Sequence, residues 1–209
     1  MATLKTKWTN VSAINPRIIA RNEGFDLDYL SKKNITLRAE IKKLVTSKAL
    51  ALVADVWKRE NGTEFAVLKR GVYVISLASG LSVRYPKGSS NIVYIGRGNV
   101  SYRLKRHFLR WIIEFSSSIS DISFEVAITK VRGQAKDDYY KDAEKDLIDE
   151  FTNKFGEKPL VNKINGKGHT RMHQYAPDFF SLLNNVGKKY LWEVRPLERN
   201  PWFREMNDS

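Results

Sequence analysis

The chain contains no cysteine, and it has three histidines and six prolines among 209 residues. Without cysteine it can form no disulfide, no thiolate metal site and no cysteine nucleophile. No apolar run approaches the roughly 20 residues that a membrane-spanning helix needs. The start, MATLKTKWTN, lacks the apolar centre of a signal peptide. We therefore expect a cytoplasmic protein that does not bind a membrane.

Positive charge is what the chain has in excess. Lysine and arginine number 36 against 23 aspartates and glutamates, which gives a formal net charge of +13. Such an excess favours a polyanionic partner, most simply nucleic acid, and the alternative is a basic but indifferent surface. Hydrophobic residues make up 42% of the chain, which is enough for a packed core and excludes wholesale disorder.

The hydrophobic period changes along the chain between helical and strand-like spacing. Three segments predict helices: 36–59 (one helix or a pair), 100–116 and 134–156. Three segments rich in Val, Ile and Tyr predict strands: 65–77, 91–96 and 122–131. Gly, Pro and Ser between the first two strands predict a loop. This order predicts an α+β fold with a small three-stranded, mainly antiparallel sheet and flanking helices.

Two residues of the second predicted helix are candidates for binding an anion. Arg103 and His107 are four residues apart and share a helix face, and the same row continues through Trp111 and Phe115, which are typical core residues. A guanidinium and an imidazole at the edge of a core are costly unless they meet a partner. Phosphate is suitable because arginine binds it in a bidentate manner. The alternative is an arginine that reaches solvent and a histidine bonded to a carbonyl.

Glu144 lies beside the apolar stripe of the third predicted helix, four residues before Ile148. A carboxylate next to a core is a candidate ligand for a hard cation such as Mg²⁺. The alternative is a boundary glutamate that is paired with a lysine or an arginine.

Two tyrosines stand in neighbouring predicted strands. Tyr73 and Tyr94 each alternate with Val or Ile, so they are predicted to share a face of the sheet. The alternative is ordinary core packing with the hydroxyl at the rim. A phenol titrates near about pH 10, so its use as a base requires help from a nearby cation.

Taken in order, these segments resemble the GIY-YIG nuclease family. GVYVISL and NIVYIGRG resemble its paired signature, with Val72 where the name has Ile. SYRLKRHF resembles its following helix, AEKDLIDEF its metal-binding helix and KPLVN its closing motif. The resemblance covers residues 71–162. It implies a nuclease core at 63–165 between a helical, DNA-contacting N-terminal extension at 1–62 and a C-terminal extension at 166–209 that contacts DNA.

The resemblance also implies catalytic roles for six residues: Tyr73, Tyr94, Arg103, His107, Glu144 and Asn162. One of the tyrosines would activate the attacking water. The arginine would neutralise the scissile phosphate, and the histidine would assist at the same phosphate. The asparagine would brace the site through hydrogen bonds.

The metal expected from the resemblance is one Mg²⁺, with Mn²⁺ as a substitute, and Glu144 would be its sole protein ligand. The segment before Asn162 is longer than the family pattern, which leaves Glu150 as a rival. Glu144 is preferred because Ile148 and Phe151 then match apolar positions of the family.

Basic and amide residues supply candidate DNA contacts. The predicted set is Arg97, Lys105, Arg106, Arg110, Lys163, Asn165, Lys167, His169 and Arg171. Further residues of types that read base edges, or are aromatic, stand in the flanks: Trp8, Asn10, Asn15, Arg17, His173 and Gln174. For the stretch NGKGHTRMHQY the alternative is a structural loop. His169 and His173 are a weak zinc pair, because no cysteine or paired carboxylate accompanies them.

Short flanks on both sides resemble the stand-alone type II restriction endonucleases of this family. We therefore expect a restriction–modification enzyme that cuts double-stranded DNA at a short site, and a homodimer is compatible with that expectation. The alternatives are a structure-selective or homing-type nuclease of the same family, and a non-catalytic nucleic-acid-binding module with the same fold.

Overall fold

The computed structural model describes residues 2–27, 34–78, 80–119, 122–132, 139–164, 173–184 and 190–201. These residues form a mixed α+β fold, as predicted. The α-helices are α1 (Pro16–Asn22), α2 (Ile35–Asn61), α3 (Val100–His107), α4 (Ile113–Ser118) and α5 (Tyr139–Phe155). The strands are β1 (Ala2–Leu4), β2 (Thr9–Ile14), β3 (Gly71–Leu77), β4 (Leu81–Tyr85), β5 (Gly88–Ser90), β6 (Ile92–Gly98), β7 (Phe124–Thr129), β8 (His173–Tyr175) and β9 (Trp192–Val194).

The main sheet is antiparallel, with strand order β2-β7-β3-β6. The prediction of three strands is therefore wrong in number, because β2 adds a fourth strand at the edge beside β7. Val11 pairs with Val126, and Val11 and Ile14 are buried while the intervening residues are exposed. Strand β2, which belongs to the first 62 residues, is thus part of the main sheet.

The region between β3 and β6 was predicted to be a loop, and it instead contains a hairpin. Strand β4 pairs antiparallel with β5, and Tyr85 faces Gly88 across the turn. The Tyr85 hydroxyl is buried, donates to the carbonyl of Ile92 and accepts from the amide of Leu160. Strand β9 adds to β4 in parallel, and β1 pairs in parallel with β8. Residues 65–67, predicted as strand, form a 3₁₀ turn.

Helix α2 is a single helix of 27 residues. Its start is capped by Asn34, whose side chain accepts from the amide of Leu37, and it ends at Gly62 in the left-handed conformation with φ of 66°. It packs against β2 and α3. Within the described ranges, no helix is both long enough and apolar enough to cross a membrane.

One helical path runs from Val100 to Ser118, with a π-helical turn at Phe108–Ile112 between α3 and α4. Leu104, Phe108 and Ile112 are fully buried along one side of this path. Helix α5 packs against β6 and β3. The path from Val100 and α5 together position the cleft described next.

Candidate functional site

The register of β3 against β6 places both signature tyrosines on one face of the sheet. Tyr73 lies opposite Gly96, and Ile75 lies opposite Tyr94. Residues that face each other across an antiparallel pair project to the same side. The two phenol rings are tilted neighbours with centroids 5.8 Å apart. The shared face that the alternation predicted is therefore observed.

A cleft of about 1000 Å³ lies beside these tyrosines. It is lined by β6, the helical path from Val100, α5 and the segment that follows α5. Five of the six predicted catalytic residues line it: Tyr94, Arg103, His107, Glu144 and Asn162. The sixth, Tyr73, is fully buried, does not line the cleft and contacts His107.

Hydrogen bonds join the aromatic and basic side chains of the cleft. Arg103 donates from Nη2 to the hydroxyl of Tyr94 over 3.1 Å. The hydroxyl of Tyr73 lies 2.9 Å from Nε2 of His107. Trp111 donates from its indole Nε1 to Nδ1 of His107 over 2.9 Å. These contacts form two neighbouring hydrogen-bonded groups beside the sheet, Arg103 with Tyr94 and Tyr73 with His107 and Trp111.

Trp111 is a site residue that the sequence interpretation missed. It was placed in the core with Phe115, and the structure leaves both half-buried and lining the cleft. The core positions of this stretch are Phe108 and Ile112, which continue the row from Leu104. The available signal was the four-residue spacing from His107, since an indole N–H is a hydrogen-bond donor that must find a partner when buried.

Burial shifts the pKa values of two members of these groups. It raises the pKa of Tyr73 well above its ordinary value, and Tyr94 adds to the effect while Arg103 opposes it. Burial lowers the pKa of His107 to about 4, helped by the charges of Arg103, Arg106 and Arg110. His107 is therefore neutral at neutral pH, and Tyr73 is protonated in the free protein.

Glu144 faces the cleft and pairs with Arg97. The Glu144 Oε2 atom lies 3.0 Å from Nε of Arg97, and both side chains are largely buried. Burial raises the pKa of Glu144, although Arg97 and Arg103 pull it down. Glu150 is exposed and does not line the cleft. Of the two rival carboxylates, only Glu144 is placed beside the tyrosines and arginines.

The donor set at Glu144 fits one kind of metal ion. Within the described part of the chain, no three His, Cys, Asp or Glu side chains cluster as a metal cage. A single carboxylate does fit Mg²⁺, which keeps several waters and is held by one or two carboxylates together with substrate phosphates. It does not fit zinc, which takes three or four protein ligands.

Basic side chains outnumber acidic ones around the cleft. Five cationic residues line it: Arg97, Arg103, Arg106, Arg110 and Lys163. The two lining carboxylates are those of Glu144 and Glu114, and Glu114 is already paired with Arg38 and Lys42 of α2. Lys105 is exposed and lies away from the cleft lining. The remaining predicted contacts, Asn165, Lys167, His169 and Arg171, lie outside the described residues.

Two guanidinium nitrogens in the cleft have no acceptor among the described residues. Nη1 of Arg97 and Nε of Arg103 are both buried and donate no hydrogen bond there. A buried donor without a partner costs about 1–3 kcal/mol. The arrangement can therefore accept an anion whose oxygens would complete these bonds.

Three flanking residues that the sequence offered by type, as aromatic or able to read base edges, have structural roles. Trp8 stacks on Phe179 and donates to its carbonyl. Asn15 caps α1, and Arg17 donates to the carbonyl of Ser116. All three side chains are buried. Each of these three side chains satisfies a backbone group of the fold.

His173 is also removed from any surface role. Its Nε2 lies 2.7 Å from Oδ2 of Asp142, and its side chain is 2% exposed. It packs edge-on against Tyr139. The weak zinc pair therefore loses this member, while His169 lies outside the described residues. Asn10 and Gln174 are exposed, so their DNA contacts stay predictions.

Gly96 is required by the close approach of the two tyrosines. A Cβ at this position would lie 2.7 Å from the Tyr73 hydroxyl and 2.5 Å from the Tyr94 ring. Both distances are shorter than any ordinary van der Waals contact. Gly98, the last residue of β6, has φ of 108°, a backbone conformation that favours glycine.

Asn162 braces the outer edge of β6. Its Oδ1 accepts from the amide of Ile95 over 2.9 Å, and its Nδ2 donates to the carbonyl of the same residue over 2.8 Å. The amide of Val161 donates to the carbonyl of Val93. This segment thus supplies the hydrogen bonds that a further strand would have made.

Comparisons of the chain with protein-family models, with curated proteins and with solved structures found no match.

Replacing Asn162 with Ala will lower the free energy of unfolding by about 2 kcal/mol, because two buried backbone groups lose their partner. Asn162→Asp keeps the oxygen that accepts from the Ile95 amide and loses the nitrogen that donates to the Ile95 carbonyl. At a pH where the carboxyl is ionised, its loss of stability will be smaller than that of Asn162→Ala only if water reaches this carbonyl. Urea unfolding of the three proteins measures this. An alanine variant as stable as the parent would contradict the bracing role.

His107 will titrate near pH 4 rather than at its ordinary value. In the unfolded chain His107 binds a proton below about pH 6.5, whereas in the folded protein it does so only near pH 4. The stability that comes from neutral His107 is therefore complete above pH 6.5 and is lost as the pH falls toward 4. NMR titration of the imidazole measures the midpoint, and urea unfolding against pH, compared with His107→Gln, isolates its share. A midpoint at or above the ordinary value would contradict this.

Proposed function

We propose that the protein is a metal-dependent endonuclease of the GIY-YIG type that hydrolyses phosphodiester bonds of double-stranded DNA. The observation that carries the proposal is the half-buried pair Arg97 and Arg103, each with one buried and unpaired donor nitrogen, beside Glu144 and Tyr94. A phosphate needs such donors, and a hard cation needs such a carboxylate. The sequence resemblance implies catalytic roles for Tyr94, Arg103 and Glu144, and Arg97 belongs to the predicted DNA contacts.

The reaction requires charge stabilisation at phosphorus and activation of water. Phosphodiester hydrolysis builds negative charge on the phosphoryl oxygens. Arg103 would donate to one of these oxygens with its free Nε, while its Nη2 remains bonded to Tyr94. Arg97 would turn from Glu144 toward the same phosphate. The guanidinium of Arg103 is positioned by its contact with Tyr94 before the substrate arrives.

The two tyrosines, either of which could act as the base that activates water, differ in their exposure to the cleft. Tyr94 lines the cleft, and Tyr73 is buried next to it. A tyrosine in the phenolate form would take a proton from water, and the resulting hydroxide oxygen would bond to phosphorus. The P–O3′ bond would break with its electron pair on O3′, which would take a proton from solvent. Arg103 donates to the hydroxyl of Tyr94, and its charge opposes the rise that burial causes in the pKa of Tyr73.

Glu144 would hold one Mg²⁺, or Mn²⁺ in its place. When bound, the ion supplies positive charge at the phosphoryl oxygens and at the leaving O3′. Glu144 contributes a carboxylate that is already desolvated at the floor of the cleft, and its present partner Arg97 would have to release it. Asn162 keeps β6 in place beneath this site.

A restriction enzyme is the most specific form of the proposal. The net charge of +13 favours a polyanion, and five basic residues around one cleft give that charge a location. The resemblance to stand-alone type II enzymes supports double-stranded DNA and a short target site, and a homodimer would let two clefts cut both strands.

Purified protein with plasmid DNA and Mg²⁺ will produce discrete fragments. Glu144→Gln will reduce the cleavage rate by roughly 100-fold or more, because the charge that holds the ion is lost. Glu150→Gln removes the same charge from an exposed site and will cleave at the parental rate.

The pattern of products separates the alternatives. Tight binding of unbroken plasmid supports a non-catalytic module and contradicts the enzyme. A smear without bands supports a nuclease that does not select a short sequence. Equal loss in both glutamine variants contradicts the assignment of Glu144.

Arg97→Ala will bind Mn²⁺ more tightly than the parent and DNA more weakly. The arginine competes with the ion for Glu144 in the free protein and would contact phosphate in the complex. Electron paramagnetic resonance of free Mn²⁺ and fluorescence anisotropy of a labelled duplex measure the two effects. Lys105→Ala, which removes a charge outside the cleft, is the control for Mn²⁺ binding. Mn²⁺ affinity that is unchanged or lower in Arg97→Ala would contradict the competition.

A further inference from the structure

Trp111 identifies which nitrogen of His107 carries the proton. An indole N–H can only donate a hydrogen bond, and it points at Nδ1 of His107 over 2.9 Å. Nδ1 must therefore present its lone pair. A neutral imidazole has one protonated nitrogen, so the hydrogen is on Nε2. This assignment follows from the chemistry of the indole and needs no observed hydrogen atom.

The other tautomer would place two donors against each other. A hydrogen on Nδ1 would face the indole hydrogen across the same 2.9 Å. Both N–H groups would then lack an acceptor in a half-buried site, which destabilises this tautomer. The doubly protonated imidazolium carries the same hydrogen on Nδ1 and is disfavoured for the same reason.

With the hydrogen on Nε2, His107 donates to the hydroxyl oxygen of Tyr73, which lies 2.9 Å away. The ring of His107 is held in this orientation by Tyr94, whose ring centroid is 4.3 Å distant, and by Trp111 at an angle of 78°. Both ring nitrogens are thus occupied. Neither has a lone pair available for the proton of Tyr73 or of a water molecule.

We propose that Trp111 is a positioning residue that fixes His107 as a hydrogen-bond donor to Tyr73, so that His107 stabilises a phenolate and does not act as a proton acceptor. The catalytic meaning of this arrangement rests on the proposed nuclease function. The tautomer and its dependence on Trp111 do not. The proton of Tyr73 must consequently leave by a route other than His107.

The charged groups around His107 act in the same direction. Arg103, Arg106 and Arg110 lie on its own helical path and disfavour a further positive charge. The sheet contributes the phenols Tyr73 and Tyr94. The carboxylates that line the cleft are already paired with other cations, Glu144 with Arg97 and Glu114 with Arg38 and Lys42.

Multiple-bond ¹⁵N–¹H NMR of histidine-labelled protein at neutral pH tests the proposal. In the parent protein, the His107 signals, assigned by their loss in His107→Gln, will show a pyrrole-like Nε2 and a pyridine-like Nδ1. Trp111→Phe keeps an aromatic ring and removes the donor, and its His107 signals will shift toward a tautomer mixture. Trp192→Phe, at a side chain that is 72% exposed, will leave them unchanged.

A pyrrole-like Nδ1 or a charged ring in the parent would overturn the proposal, whether or not the protein cuts DNA. Parental signals in Trp111→Phe would overturn the role of Trp111. The parent spectrum alone tests the tautomer. It therefore decides this part of the proposal even if the Trp111→Phe protein does not fold. If DNA is cut, the folded Trp111→Phe variant will cut it roughly tenfold more slowly or worse. Correct spectra without any cleavage would support the tautomer and contradict only the nuclease.

Discussion

The register of β3 against β6 determines where the functional groups of the cleft lie. Side chains alternate between the two faces of a sheet. A slip of one residue in the register would therefore put Tyr73 and Tyr94 on opposite faces. Gly96 permits the present register, because only a hydrogen fits against the Tyr73 hydroxyl. Asn162 completes the free edge of β6. The remaining site residues are then positioned relative to this strand pair by α5 and the helical path from Val100.

Buried charge is the second constraint on the cleft. A lone glutamate or arginine at the depth of Glu144 or Arg97 would be costly, and their pairing in the free protein offsets that cost. The pairing is incomplete, because donors of Arg97 and Arg103 remain unsatisfied within the described residues. A phosphate together with a cation would satisfy both sets of groups at once. The cost of the unpaired donors and the proposed binding of phosphate would therefore follow from the same arrangement.

Elements with strong local periodicity could be predicted from the sequence. The run at 36–59 gave α2, and Val–Ile–Tyr stretches gave β3, β6 and β7. Strand β2 was missed because TNVSAI is short and polar, and its pairing with β7 is a long-range contact. The β4–β5 hairpin was missed because Gly, Pro and Ser are typical of loops. The contacts of Trp8 and Arg17 could not be predicted, because their partners, the carbonyls of Phe179 and Ser116, lie far away in the sequence.

The distinction between local patterns and long-range contacts also applies to the site. Ordered spacing was sufficient to select residues that the fold brings to one cleft, and α5 separates Glu144 from Glu150 as the apolar stripe indicated. Spacing could not supply the Arg97 partner of Glu144 or the indole on His107. The Trp111–His107 contact depends on how the π-helical turn directs the indole. The Glu144–Arg97 contact joins two elements that are far apart in the sequence.

The destination of solvent oxygen is the most direct measurement of whether this cleft hydrolyses a nucleic-acid backbone. Duplex DNA incubated with the protein and Mg²⁺ in H₂¹⁸O can be analysed by mass spectrometry of the fragment ends. The account predicts one ¹⁸O in each new 5′-phosphate and an unlabelled 3′-hydroxyl. Intact duplex, or label at a 3′-phosphate, would contradict it.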